Sequence, residues 1–160
     1  MKVKLVRESL YEDQAIDQRN DNIVDDWFAQ WAPDTEYEID DNFNIYVKGN
    51  LYLSGAKITS LPDNLEVSGY IDLENNKEIT SLPDNLKVGK FLDLRNTNII
   101  SLPNNLKVKG SLFLEGTKIT SLPDDLKVGG SILIHDTEIT SPPDNLKVGG
   151  EIYIFPRGNI

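Results

Sequence analysis

The chain has 160 residues and no cysteine, which suits one domain with a modest core and excludes disulfides, cysteine zinc sites and cysteine nucleophiles. No apolar run approaches the roughly 18 residues of a membrane span, and the N-terminus lacks an apolar signal-peptide core, so we expect a cytoplasmic protein without membrane contact. The formal net charge is −10, and residues 1–50 alone hold 5 basic and 12 acidic side chains. This acidity disfavours direct binding to nucleic acid and favours a basic protein partner, although a role in solubility alone also explains it.

Residues 1–44 do not repeat, and we predict that they form an acidic capping segment with one helix. The stretch "DNIVDDWFAQWAPD" predicts the helix, because Asp21 or Asn22 can serve as N-cap and Pro33 stops the helix near Trp31. Its apolar residues fall on one face: Ile23, Val24, Trp27, Phe28 and Trp31. We expect this face to cover the open end of a repeat array; in the alternative, one tryptophan is an exposed binding anchor.

Residues 45–160 repeat with a period of 20 residues, except for one copy of 21. Self-similarity at this period predicts a solenoid in which each copy is one coil. Leu51 and Leu53 alternate with polar neighbours, which indicates a short strand with one buried face. A Leu-x-Val triplet later in each copy also alternates, so two alternatives stay open: a horseshoe, or a coil with two strands.

Turn-forming residues separate these apolar positions. Each copy carries a proline followed by "DN", "NN" or "DD", which start and complete a turn. Turn formation explains the resulting column of aspartates at Asp63, Asp84, Asp124 and Asp144. Glycines cluster after each valine, as at 129–130 and 149–150, and they allow positive φ at a corner between the two strands.

The segment "LFLEGTKITSLP" at 112–123 resembles the leucine-rich repeats, in particular the short bacterial or phage-type repeats of 20 residues. The resemblance covers about residues 45–155 and implies a β-rich, right-handed stack of about six coils with a small N-terminal helical cap. The asparagine-ladder position of that family falls on Ala56, Thr97, Thr117 and Thr137, with the 21-residue copy out of step.

The repeats argue against an enzyme, because catalysis needs distinct residues held together and a repeat offers identical ones in rows. His135 is the single histidine, and its neighbour Asp136 is adjacent in sequence rather than placed across from it. The chain contains no phosphate-binding loop, dinucleotide-binding or metal signature, so we expect no cofactor and no metal.

The positions that vary between copies are better candidates for a binding site than the positions that repeat. They lie on the outward side of the first strand of each coil, do not maintain the core and include aromatic residues. The predicted partner-binding residues are Tyr52, Asp72, Asp93, Arg95, Phe113, Glu115, Leu133, His135, Tyr153 and Phe155.

We therefore expect a non-enzymatic protein–protein interaction module. One alternative is an acidic decoy, such as a phage-borne nucleic-acid mimic that inhibits a host nucleic-acid-binding or defence protein through Asp25, Asp26, Asp40 and Asp41. A second alternative is a structural or assembly component. A homodimer through the C-terminal coil is a further hypothesis, with Tyr153, Phe155 and Ile160 as an apolar end and Pro156 at the strand edge.

Overall fold

The structure is a computed structural model that describes residues 14–155, with side chains from Ile23 onward. Residues 1–13 of the predicted capping segment, and Pro156 and Ile160, lie outside this range. The described part contains a helix, α1 (Gln14–Trp31), followed by short strands. In chain order these are β1 (Tyr37–Ile39), β2 (Ile45–Val47), β3 (Leu51–Tyr52), β4 (Leu65–Val67), β5 (Ile71–Asp72), β6 (Lys87–Val88), β7 (Leu92–Asp93), β8 (Lys107–Val108), β9 (Leu112–Phe113), β10 (Lys127–Val128), β11 (Ile132–His135) and β12 (Ile152–Phe155).

The coils form a β-solenoid in which each coil has two strands. The sequence left open a horseshoe or a two-strand coil, and the structure has the two-strand coil. One sheet has the strand order β12-β11-β9-β7-β5-β3, and every neighbouring pair in it is parallel. We call it the variable sheet. The other has the order β1-β2-β4-β6-β8-β10; it is parallel apart from the antiparallel pair of β1 with β2. We call it the lysine sheet, after its outward residues Lys87, Lys107 and Lys127.

The core lies between the two sheets and consists of aligned aliphatic columns. Leu53, Leu73, Leu94, Leu114 and Ile134 form one column and are at most 1% exposed. At roughly 1.5–3 kcal/mol for each fully buried aliphatic side chain, several such residues per coil offset the entropy cost of ordering it. The predicted inward positions of both strand types are therefore confirmed from β3 to β11, whereas those of the last coil are only partly buried.

Helix α1 packs on the first coil through its aromatic residues. Phe28 is buried, stacks on Tyr37 with ring centroids 4.0 Å apart, and meets the Trp27 ring edge-on at 5.0 Å. The indole Nε1 of Trp27 donates a hydrogen bond of 3.0 Å to the carbonyl of Ser60. Ile23, in contrast, is 62% exposed.

The predicted end of this helix is confirmed, but its predicted start is wrong. α1 ends at Trp31, ahead of Pro33, yet it begins at Gln14, so Asp21 and Asn22 lie inside it instead of capping it. Aspartate and asparagine favour N-caps but cost little more than most residues in a helix interior. The preceding residues "QAIDQRN" contain good helix formers that extend the helix toward the N-terminus.

A buried polar column runs beside the aliphatic core, and it shows that the 21-residue copy stays in register there. Asn76 is fully buried at the position held by Thr97 and Thr117 in the next two coils. Each threonine Oγ1 donates a hydrogen bond of 2.8 Å to the carbonyl three residues earlier, on Leu94 and Leu114. The long copy is thus in step at this column, and its extra residue follows Asn76.

The glycines after each Leu-x-Val allow neighbouring coils to approach closely, and those of 129–130 and 149–150 do not adopt the positive φ that glycine allows. A Cβ on Gly129 would lie 2.2 Å from the Lys109 carbonyl oxygen, and one on Gly149 would lie 2.0 Å from the Gly129 oxygen. Left-handed backbone occurs instead at the corner after the variable strand, with φ between 51° and 67° at Gly55, Asn75, Asn96, Gly116 and Asp136.

The loop between β1 and β2 is organised by the carboxylate of Asp40. Its Oδ1 accepts hydrogen bonds of 2.9 Å from the backbone N–H groups of Asn42 and Asn44. Its Oδ2 accepts from the Asn44 side chain at 2.8 Å and from the Tyr46 hydroxyl at 3.1 Å. The bonds to Asn44 are the main cause that lowers the pKa of Asp40 to about 2.

This lowered pKa predicts a pH-dependent contribution of Asp40 to stability. The contribution is present above the ordinary carboxyl pKa of 3.8 and is lost as the pH falls through about 2. We expect Asp40→Ala to lower the Tm at about pH 5, and the difference from wild type to shrink toward about pH 2. Thermal unfolding followed by circular dichroism measures both; a Tm difference that does not change with pH would contradict the assignment.

The solenoid core is less covered at its C-terminal coil. Leu146, Val148, Ile152 and Ile154 are partly exposed, whereas their counterparts one coil earlier are buried. β12 pairs with β11 along all four residues, so the opposite edge of β12 is the edge of the variable sheet. A homodimer through this end remains a prediction. Within the described residues, no helix has the length and apolar character that a membrane span requires.

Candidate functional site

The predicted binding residues lie in two columns on the outward side of the variable sheet. The first follows the strand register, in which each member pairs with the next: Tyr52, Asp72, Asp93, Phe113, Leu133 and Tyr153. The second lies two residues further along each coil and contains the predicted residues Arg95, Glu115, His135 and Phe155. Glu74, which was not predicted as a binding residue, belongs to the same column. We call this surface the variable face. Parallel, in-register stacking brings together residues that are 20 or 21 positions apart in the sequence.

A third column on the same face was not predicted. It contains Tyr70 and Phe91, which immediately precede β5 and β7 and are half-buried. The signal was present in the sequence, because residues 70, 72 and 74 alternate with the same period of two, although the predicted strands begin at inward residues such as Leu51. Extending the alternation by one step toward the N-terminus finds both rings.

Four aromatic rings on this face form a continuous row. Tyr52 meets Tyr70 edge-on with centroids 5.1 Å apart, and Tyr70 stacks on Phe91 at 4.3 Å. Phe91 in turn meets Phe113 edge-on at 5.8 Å. A hydrogen bond with Tyr52 is the main cause that raises the pKa of Tyr70 to about 12. The row spans four coils and fixes these side chains relative to one another.

The aromatic row borders a cluster of charged residues, which we call the acidic centre: Asp72, Glu74, Asp93, Arg95 and Glu115. Arg95 donates from Nε to Oδ1 of Asp93 at 2.9 Å and from Nη2 to Oδ2 of the same carboxylate at 2.6 Å. Its Nη2 also lies 3.3 Å from Oε2 of Glu74. The bonds to Asp93 are the largest cause that raises the pKa of Arg95 above its ordinary value.

Two members of the acidic centre are more buried than an outward strand position predicts. Asp93 is only 5% exposed, because Arg95 folds over it, and the Arg95 guanidinium lies 5.8 Å from the centre of the Phe113 ring. Oε2 of Glu115 is buried and has no hydrogen-bond partner among the residues that the structure describes. Asp93 therefore serves mainly to position Arg95, while Glu115 retains an unused acceptor.

The acidic centre has carboxylates that could together hold a cation. One oxygen each of Asp72, Glu74 and Asp93 lie within 4.8 Å of one another. However, the guanidinium of Arg95 already binds both oxygens of Asp93, and Oδ1 of Asp72 accepts from the backbone N–H of Glu74 at 3.0 Å. The arrangement is that of a carboxylate cluster partly neutralised by arginine rather than of a preformed metal site.

The C-terminal half of the variable face is mainly apolar. His135 and Phe155 stack with centroids 4.1 Å apart. Phe155 is 52% exposed and Tyr153 is 41% exposed, while Leu133 beside them is half-buried. The face therefore changes along the solenoid from a charged region edged by aromatic rings to an apolar region.

Asp25 and Asp40, which belong to the N-terminal carboxylates proposed for an acidic decoy, accept hydrogen bonds within the chain. Asp25 accepts a hydrogen bond from the Tyr37 hydroxyl. Asp40 holds the β1–β2 loop as described above. Asp26 and Asp41 are exposed at the surface. The geometry of this segment thus gives Asp25 and Asp40 a role within the fold.

Comparison of the chain with protein-family models, curated proteins and solved structures gives no match. The side chains of the variable face are therefore the basis for assigning a function.

Proposed function

We propose that the chain is a non-enzymatic protein-binding module whose contact surface is the variable face. The observation that carries this proposal is the location of the exposed large hydrophobic side chains. In the described part of the chain, the exposed large hydrophobic residues are Ile23, Tyr52, Ile100, Tyr153 and Phe155. Three of these five lie on the variable face: Tyr153 and Phe155 are together on β12, and Tyr52 is on β3 at the opposite edge of the sheet. Exposed aromatic residues are typical of protein interfaces.

The lysine sheet provides a contrast within the same molecule. Its outward positions repeat the same residue in successive coils, at Lys87, Lys107 and Lys127. Lys87 pairs with Glu66 at 2.9 Å, and the outward lysines are exposed. A uniform charged surface keeps a sheet solvated and discourages association, which fits a face that contacts only water. The two faces have the same backbone architecture, so the difference in side chains supports a binding role for the variable one.

Affinity capture with matched variants tests this function. The immobilised wild-type chain, the face variant Leu133→Ser/Tyr153→Ser and the control variant Lys107→Ser/Lys127→Ser are incubated with lysate of the source cells. We expect the wild type and the control to retain the same protein at near-stoichiometric amounts, and the face variant to retain at most about a tenth as much. Such a loss corresponds to about 1.4 kcal/mol of binding free energy.

Circular dichroism of all three proteins shows whether the substitutions leave the solenoid folded. Both pairs lie on outward strand positions of adjacent coils, but Leu133 is half-buried whereas Lys107 and Lys127 are exposed. The comparison of binding is therefore made at a temperature at which all three proteins keep the wild-type spectrum. Equal retention by the face variant, or loss in the lysine-sheet control as well, would overturn the assignment to the variable face. Lack of any stoichiometric protein on the wild type would overturn the proposed function itself.

A further inference from the structure

We propose that residues 2–7 of this chain, "KVKLVR", dock in an apolar groove at the N-terminal end of the solenoid. The groove lies between helix α1, the β1–β2 hairpin and the turn at residues 60–64, and its volume is about 710 Å³. Among the described residues that line it, none belongs to the variable face, so the site is separate from the proposed partner-binding surface. Docked there, the segment completes the cap over the first coil.

The groove is lined mainly by apolar side chains. Ile23, Val24 and Trp27 of α1 form one wall, and Ile39 and Phe43 of the hairpin contribute to the other. Ile23 is 62% exposed, although it lies one turn from Trp27, whose indole is hydrogen-bonded to the first coil. A helix that caps a solenoid is expected to bury its apolar face, so this wall has apolar surface left for further aliphatic side chains.

The hairpin holds one lining residue in a conformation that aromatic residues rarely adopt. Phe43 has a φ of 59°, in the left-handed region, which costs free energy for a bulky side chain. The carboxylate of Asp40 fixes this loop, because it accepts hydrogen bonds from the N–H groups of Asn42 and Asn44 on either side of Phe43. Such strained positions cluster at binding sites, which fits a groove that receives a ligand segment.

Charge complementarity identifies the occupant. Residues 2–7 carry three basic side chains and no acidic one, whereas residues 23–50 carry seven acidic side chains and one basic one. Asp63 lines the groove, and Asp26 and Asp41 adjoin the lining residues Trp27 and Asn42 in the sequence. All three aspartates are exposed, so the groove combines an apolar floor with carboxylates around it. A segment that joins aliphatic and basic residues is complementary to both.

The pattern and the position of residues 2–7 fit this groove. Val3 and Leu5 alternate with Lys2 and Lys4, so an extended segment places its aliphatic side chains on one side and its ammonium groups on the other. Residues 8–13 connect the segment to α1 and can span up to about 20 Å. Ile23 lies only about 14 Å along the helix from its first residue, so the segment can fold back along α1 and reach the groove.

Paramagnetic relaxation enhancement in NMR of the full-length 15N-labelled chain tests the inference. The chain has no cysteine, so Val6→Cys gives a single attachment site for a nitroxide label, on the lysine side of the segment. We expect the label to broaden the amide signals of Ile23, Phe43 and residues 60–64 much more than those of β12, at the other end of the solenoid. Raised salt should reduce this broadening, because it screens the attraction between the lysines and the carboxylates.

Matched variants in the labelled chain locate the site. Ile23→Lys should abolish the selective broadening, because it replaces an apolar wall residue with a cation that repels the basic segment. Ile100→Lys is the control, since Ile100 is 59% exposed and does not line the groove; it should leave the broadening unchanged. Undisturbed signal dispersion in the strands confirms that each variant is folded.

A mixed sample determines which copy of the chain supplies the segment. It contains 15N-labelled chain without the nitroxide and natural-abundance chain that carries it. Docking within one chain leaves all signals of this mixture sharp, whereas broadening of the groove signals would show that a second copy occupies the groove. That result, or a lack of selective broadening in the singly labelled chain, or equal broadening in Ile23→Lys and Ile100→Lys, would overturn the inference.

Discussion

Replacing Asn76 with alanine is expected to lower the free energy of unfolding by about 2–4 kcal/mol. Asn76 is fully buried, and its side chain serves the backbone of two coils. Its Nδ2 donates to the carbonyl oxygens of Leu53 and Leu73, and its Oδ1 accepts from the backbone N–H of Ile58 at 3.2 Å. Alanine removes all three bonds and leaves the buried Ile58 N–H without its acceptor, while the carbonyls of Leu53 and Leu73 keep the backbone N–H groups of residues 56 and 76 as donors.

Urea unfolding monitored by circular dichroism measures this effect. Thr97→Ser is the control, because serine keeps the hydroxyl that donates to the Leu94 carbonyl in the same column one coil later. We expect that substitution to cost less than about 1 kcal/mol, since it removes one methyl group. If Asn76→Ala cost no more than Thr97→Ser, the hydrogen bonds of Asn76 would not stabilise the coil that contains the extra residue.

Replacing Gly89 with valine is expected to destabilise the solenoid by about 3 kcal/mol. A Cβ on Gly89 would lie 2.1 Å from the carbonyl oxygen of Ser68 in the preceding coil, far inside van der Waals contact. The obstacle is backbone, so a change of side-chain rotamer cannot relieve it. The coils would have to separate at this corner, where the N–H of Gly89 donates to the carbonyl of Val67 at 2.7 Å.

Lys109 is the matched control for Gly89, since it holds the same position after the Leu-x-Val triplet one coil later and already has a Cβ. Lys109→Val should change the unfolding free energy by about 0.5 kcal/mol or less, as expected of an exposed side chain. Both variants are compared by urea unfolding. Similar midpoints for the two would show that close coil-to-coil approach at Gly89 does not limit stability.

The repeating columns of the fold could be predicted from sequence because periodicity reports directly on burial. Leu53, Leu94 and Ile134 recur at fixed positions, and alternation places them on one side of a strand. The corners could not be predicted in the same way. Glycine is compatible both with positive φ and with close packing of backbone, and composition alone does not separate the two uses at Gly129 or Gly149.

The candidate site was predicted in part. Outward alternation placed Phe113 and Leu133 on one face, but it does not report how long side chains fold over their neighbours. Arg95 binds Asp93, which lies two residues earlier, and buries it. Asp93 was expected at the surface and instead holds the Arg95 side chain in place. Tyr70 and Phe91 were not predicted as part of the face, because each lies one residue before the inward residue that begins its strand.

The most direct test of whether the variable face binds the captured partner is a comparison of the partner's dissociation constants for variants of the two sheets. Isothermal titration of that partner with Leu133→Ser/Tyr153→Ser and with Lys107→Ser/Lys127→Ser compares two outward faces of one solenoid. We predict that the variable-face pair raises Kd at least about tenfold over wild type and that the lysine-sheet pair leaves it within about twofold. An unchanged Kd for the variable-face pair, or an equally raised Kd for the lysine-sheet pair, would contradict the assignment of binding to the variable face.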